Sequence, residues 1–178
     1  EDPRTFGEAY VVAGGHWSEI EEFLETGPEP LGKPFDGEIL GARFAGCPTP
    51  IGLSLMDQHR VAGLGKIYAD EALFEAGIHP LRPSRGLGRK DWDRLARIIP
   101  RLLRQAIRMG GTTTGDGGYL QSNGEPGRFA GRLRVYQRTG QPCFACGTPI
   151  RRIAVQGNRG LHFCPRCQPR CQPRCQPR

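Results

Sequence analysis

Four of the seven cysteines stand as two Cys-x-x-Cys pairs, Cys143 with Cys146 and Cys164 with Cys167, and seventeen residues separate the pairs. This spacing restricts the fold more than any other feature, because it is that of a zinc ribbon. Each pair sets two thiolates on one tight turn, and Gly147 after Cys146 permits the backbone to bend. Four thiolates complete a tetrahedron around one Zn²⁺ and leave no position for water, so such a site is structural and not catalytic. The same four residues also admit two disulfides. Nothing near the first residue, a glutamate, resembles a secretion signal, and a reducing, cytoplasmic setting fits the pattern better. Cys47 stands alone and reads as a small buried residue. Cys171 and Cys175 fall in a tail where CQPR occurs three times from Cys167, and that repeat is assigned no function.

Between the two knuckles, 150–155 and 161–163 read as the strands of a hairpin joined through Gly157, Asn158, Arg159 and Gly160. The tip is basic and glycine-rich, a shape suited to pressing Arg159 against a phosphate. His162 reads as a strand residue, since four thiolates already satisfy the metal.

Charge points the same way. The net charge of +7 hides a division: residues 1–40 carry ten acidic side chains against Arg4 and Lys33, so the rest of the chain is strongly basic. A basic excess confined to one part suggests a polyanion, nucleic acid before membrane, although a solvated basic surface would look the same by composition. No run approaches the roughly 18 apolar residues of a membrane span. At 178 residues and 37% hydrophobic content, the chain has room for one ordinary domain or two small ones, and a small module gains from a metal staple.

Along the chain, 6–13 read as a strand. Ser18 with Glu21 forms a capping box that opens a helix ending near Gly27 and Pro28. Residues 28–38 read as a proline- and glycine-rich linker. A short helix is expected from 51 to around 57–58, a turn over 61–65, a helix over 66–76 and a longer one over 91–109, which Pro100 should kink or split. Residues 111–127 read as a long exposed loop of the length usually tied to function. Residues 132–136 alternate like a strand.

The stretch VAGLGKIYADEALFEAGIHP, 61–80, is the most specific. Gly63 and Gly65 let the backbone approach another molecule. The helix start beyond them offers free N–H groups and a favourable dipole to an anion, and Lys66 adds a positive charge. A phosphate is the natural guest; a glycine-rich helix cap without a ligand is the plainer reading.

These segments, with DPRTFG (2–7), GPEPL (27–31), LMDQ (55–58), GGTT (110–113), GRFAGRLRVYQRTGQPCFACGTPI (127–150) and NRG…FCPRCQ (158–168), resemble the bacterial formamidopyrimidine-DNA glycosylases, relatives of endonuclease VIII. The resemblance implies an α+β multidomain chain. Residues 1–30 would end a β-rich N-terminal domain, 31–127 form a helix–two-turn–helix DNA-binding domain, 128–168 a zinc-ribbon β-hairpin, and 169–178 the tail. It implies base-excision repair of oxidised purines in double-stranded DNA by a monomer associated with the bacterial nucleoid, holding one structural zinc. Such enzymes flip the damaged base out of the stack. In the family, the amine of an N-terminal proline attacks the sugar C1′, and elimination through a Schiff base then cuts the strand. Carried over by position, Arg4 and Phe6 fill the hole left by the flipped base, Lys66 and Arg159 contact DNA, and Arg159 also donates a proton in the second elimination. The 111–127 loop covers the oxidised purine.

Three departures stand out. The family's Pro-Glu start is missing, and residues 1–3 read as the interior of the first domain. The chain is therefore expected to be the C-terminal two-thirds of such an enzyme, binding DNA without its nucleophile. A non-catalytic zinc-dependent DNA-binding module is the alternative. Lys66 stands where the family usually has asparagine. Gly52 stands where it usually has a phosphate-contacting lysine, so one contact is expected to be lost.

Overall fold

A computed structural model describes residues 26–32, 34–115, 119–155 and 159–170. The strand expected at 6–13, the helix opened by Ser18, Arg4, Phe6 and the tail beyond 170 lie outside those residues. Among the described residues the α+β reading holds, as helices followed by one two-stranded antiparallel hairpin.

The first described helix, α1 (Gly37–Arg43), begins at the end of the 28–38 stretch whose composition suggests a linker. Its start is set by Asp36, whose Oδ1 accepts from the N–H groups of Glu38 (2.8 Å) and Ile39 (2.9 Å), satisfying two of the donors a helix start leaves open. A β-carbon on Gly37 would meet the backbone nitrogen of Asp93 at 2.7 Å, so a glycine is what lets α1 lie against the long helix. Phe44, just past α1, stacks on Trp92 with ring centroids 4.8 Å apart. The local signals of a linker are thus overridden by one cap and one close approach.

After α2 (Ile51–Ser54) comes α3 (Lys66–Ala76), with the bounds the sequence predicts. It has no clean polar face: Ala69, Asp70, Glu71, Ala72, Leu73, Phe74 and Ala76 are all buried, because neighbours surround it. Gly77 ends it in the left-handed region at φ 67°, where glycine carries no steric penalty, and Ile78 N–H donates back to the Leu73 carbonyl at 3.0 Å.

The long helix α4 (Arg89–Arg108) runs unbroken through Pro100, so the expected split does not occur. Proline inside a helix costs about 3 kcal/mol. Ile98, Ile99 and Leu102 are buried on either side of it, and that burial carries the helix through. Leu40, Leu73 and Leu95 meet in the same core.

Residues 132–136 do not form the expected strand. A 3₁₀ turn (Phe129–Arg132) comes first, and the chain then curls. The reason is Glu71. Its carboxylate accepts from the N–H groups of Arg134, Val135 and Tyr136, each at 2.9 Å. Successive N–H groups of an extended strand point to opposite sides, so three in a row can share one carboxylate only on a curled backbone.

The hairpin pairs β1 (Arg151–Val155) with β2 (Arg159–Phe163), in the register Arg151 opposite Phe163 and Val155 opposite Arg159. The loop from 111 is pinned at its base, where Thr112 bridges to Arg128 and Leu120 to Pro126, while Tyr119 and Leu120 stay exposed. No described helix is long and apolar enough to cross a membrane.

Candidate metal centre and nucleic-acid interface

The four predicted ligands come together. The Sγ atoms of Cys143, Cys146, Cys164 and Cys167 all lie within 4.8 Å of one another. Cys143–Cys167, Cys146–Cys164 and Cys146–Cys167 are separated by 3.9, 3.4 and 3.5 Å. A tetrahedral zinc with bonds of about 2.3 Å needs sulfur–sulfur edges of about 3.8 Å. A disulfide would need about 2.0 Å. The thiols are free and the geometry fits one structural zinc. Local chemistry assists: the hydroxyl and N–H of Thr148 hold the Cys146 thiol down to about 6. Burial pushes the Cys164 and Cys167 thiols up, so these two need a cation's charge to become thiolates. Gly147, at φ 73°, makes the bend expected of the first knuckle. Cys47 is free and buried.

Gln168 fixes the second knuckle. Fully buried, it accepts from Cys164 N–H at 3.0 Å and donates through Nε2 to the Ile78 carbonyl at 2.8 Å, tying the knuckle to the end of α3. The sequence gives no signal for this role, because Gln168 sits inside the repeated CQPR.

The start of α3 is bare of side-chain caps: its cap residue is Gly65, and a β-carbon there would meet nothing within 4 Å. The preceding turn is held by Gln58, whose Oε1 accepts from Gly63 N–H at 2.7 Å. Lys66 Nζ lies 2.7 Å from Asp70 Oδ2, with a quarter of its side chain exposed and the carboxylate fully buried. The same Oδ2 takes His162 N–H at 3.1 Å and faces His162 Nδ1 at 3.0 Å. One buried carboxylate thus joins the start of α3 to the middle of β2. The other oxygen, Oδ1, has no hydrogen-bond partner among the described residues. His162 is a strand residue, as expected, and its ring serves Asp70.

Glu71, the next residue, makes the second join through 134–136. Burial pushes its carboxyl above the usual range, against the pull of its three N–H donors. Asp70 and Glu71 were visible in the sequence as two acids inside an apolar helical run. Their partners, 92 and 63 to 65 residues away, were not.

Gly52 is buried, and a β-carbon there would lie 2.9 Å from Leu161 Cδ1 and 3.0 Å from Pro80 Cβ. Leu161 of β2 therefore fills the space that a longer residue at 52 would need, and the contact expected to be lost there has a packing counterpart. Arg159 opens β2 opposite Val155. Arg4 and Phe6 lie outside the described residues, so the structure does not place them.

Comparison with known proteins bears on this geometry. Residues 26–117 match the formamidopyrimidine-DNA glycosylase H2TH domain, and residues 140–170 match the zinc finger found in FPG and IleRS. A formamidopyrimidine-DNA glycosylase of Thermus thermophilus is 45% identical over 169 residues, 94% of this chain and 62% of the relative. That of Methylococcus capsulatus is 47% identical over 168 residues, 94% of this chain and 60% of the relative. The crystal structure of the MutM (FPG) protein from Thermus thermophilus superposes with a TM-score of 0.86 at 44% identity, covering 94% of this chain and 62% of that one. A complex of Lactococcus lactis Fpg with DNA containing an abasic site gives 0.75 at 35% identity, covering 85% and 55%. The chain thus spans about three-fifths of the length of its curated relatives.

Proposed function

This chain belongs to the formamidopyrimidine-DNA glycosylase family, and from that premise we propose that it is the DNA-gripping, zinc-containing part of a base-excision repair enzyme. The enzyme removes oxidised purines and cleaves the resulting abasic site through a Schiff base. It works as a monomer on damaged double-stranded DNA in the bacterial nucleoid.

The observation that carries this reading is the carboxylate of Asp70. It holds Lys66 at the start of α3 and His162 on β2, so the helix start is joined to the strand whose first residue is Arg159. Lys66 and the uncapped α3 start take one backbone phosphate, and the bare Gly65 lets the strand come close. Arg159 takes another and donates the proton in the second elimination. Arg4 and Phe6 fill the hole left by the extruded base, and the 111–127 loop closes over it. Residues 31–127, as the helix–two-turn–helix domain, and residues 128–168, as the zinc finger, share the grip. Zinc, held by four thiolates, stabilises the finger and has no open position for chemistry.

Glycosidic attack needs an uncharged amine within about 3 to 3.5 Å of C1′. In the family the resemblance points to, a terminal proline supplies it, and the first of these 178 residues is a glutamate. Among the described lysines, Lys66 is paired with Asp70 and Lys90 is exposed on α4. These 178 residues by themselves, incubated with abasic DNA and borohydride, should give no covalent adduct. The same residues behind a segment that begins with proline and glutamate should give a clear one. A strong adduct from the 178 residues alone would move the nucleophile to a lysine and overturn this division of roles.

A further inference from the structure

A cleft of about 570 Å³ opens between α3, α4 and the first knuckle. Arg101, Arg108, Arg132 and Arg134 all line it. The carboxylates beside them are already engaged: Glu75 pairs with Arg101, and Glu71 spends both oxygens on backbone N–H groups. The Arg134 guanidinium lies over the Phe74 ring, 5.0 Å from its centroid. Arg108 and Arg132 are exposed and have no salt bridge or side-chain hydrogen bond among the described residues. Phe144 also lines the cleft. It is 70% exposed, more than any other large apolar side chain described, and Arg138 stacks on it at 3.6 Å.

We propose that this cleft docks a short acidic peptide segment of a partner protein that carries one large apolar side chain. The volume lies within the range of about 300 to 1,000 Å³ typical of binding clefts. Arginine and exposed aromatics are the residues that most often carry interface energy, and here two cations lack an intramolecular ion pair and a ring stays largely open to solvent. Charge complementarity requires an anionic partner. The exposed ring favours a peptide over duplex DNA, whose bases are already stacked on one another and whose backbone offers phenylalanine little apolar surface.

Position bears on the same choice, given the reading above that Lys66 and Arg159 face DNA. The Glu75–Arg101 side of the cleft lies nine residues along α3 from Lys66, about 13 Å on the helix axis.

The probe is a labelled heptapeptide of six acidic residues around a central phenylalanine, titrated with the zinc-loaded chain and followed by fluorescence anisotropy. Saturable binding is expected. Arg108→Gln combined with Arg132→Gln should weaken it about ten-fold, and Phe144→Ser about three-fold, with zinc content and thermal unfolding unchanged. Lys66→Ala should leave peptide binding unaltered, and the double arginine variant should bind duplex DNA like the parent. Absence of saturable binding, or binding indifferent to the arginine pair, overturns the proposal. A loss of duplex affinity of about three-fold or more in the double arginine variant also overturns it, because the cleft would then be a nucleic-acid surface.

Discussion

Lys66 shows how one side chain can be legible in place and illegible in setting. The glycine-flanked turn before it, and the helix it opens, follow from the sequence. Its anchor does not: Asp70 is four residues on, but the group that orients Asp70 is His162, brought in from the finger. The ammonium is therefore aimed by a buried carboxylate, with a quarter of the side chain left open to a ligand. Lys66→Ala should weaken duplex binding on all sequences alike and lower the slope of log affinity against log salt by about one unit. Lys66→Asn, which restores the residue usual in the family, should retain measurable affinity. A titration across salt concentrations checks both. Altered base preference with an unchanged slope would contradict the assignment, because phosphate contacts position the duplex without reading it.

At the scale of elements, local pattern succeeds where local chemistry decides and fails where tertiary contacts do. The α3 helix and the hairpin follow from periodicity and turn residues. The α1 helix is missed because its glycine, read as a linker residue, is required by contact with α4. The curl at 134–136 is missed because Glu71, more than sixty residues earlier, dictates it. Gly52 and Leu161 are a third long-range pair, and it can be tested as one. Gly52→Ala should cost about 1–3 kcal/mol by overpacking against Leu161. Leu161→Ala should cost about 2–5 kcal/mol by leaving a cavity. In urea unfolding, the double variant should lose less than the sum by about 1 kcal/mol or more, since each change relieves the other. Additive losses would show that the two positions do not compete for space.

For the whole molecule, the finger and the helical part are one unit because α3 is tied to the finger region at three places. Asp70 holds His162, Glu71 holds the curl at 134–136, and the Ile78 carbonyl just past α3 takes Gln168. The four cysteines made the metal centre fully legible, and their spacing required no structure. The three ties were invisible, because each joins residues at least sixty apart in sequence. Under the proposed function, they predict that zinc is a condition for DNA binding by the helical part as well as by the finger. The most direct test measures the binding of the 178-residue chain to duplex DNA carrying an abasic-site analogue, across salt concentrations, before and after zinc removal by a chelator. About one zinc per chain is expected, with affinity falling steeply and linearly on the log–log salt plot. Removing the zinc should abolish binding as the finger unfolds and Asp70 loses His162. Duplex binding that persists undiminished after all zinc is gone, or a folded zinc-loaded chain with no affinity for the duplex, would contradict the account.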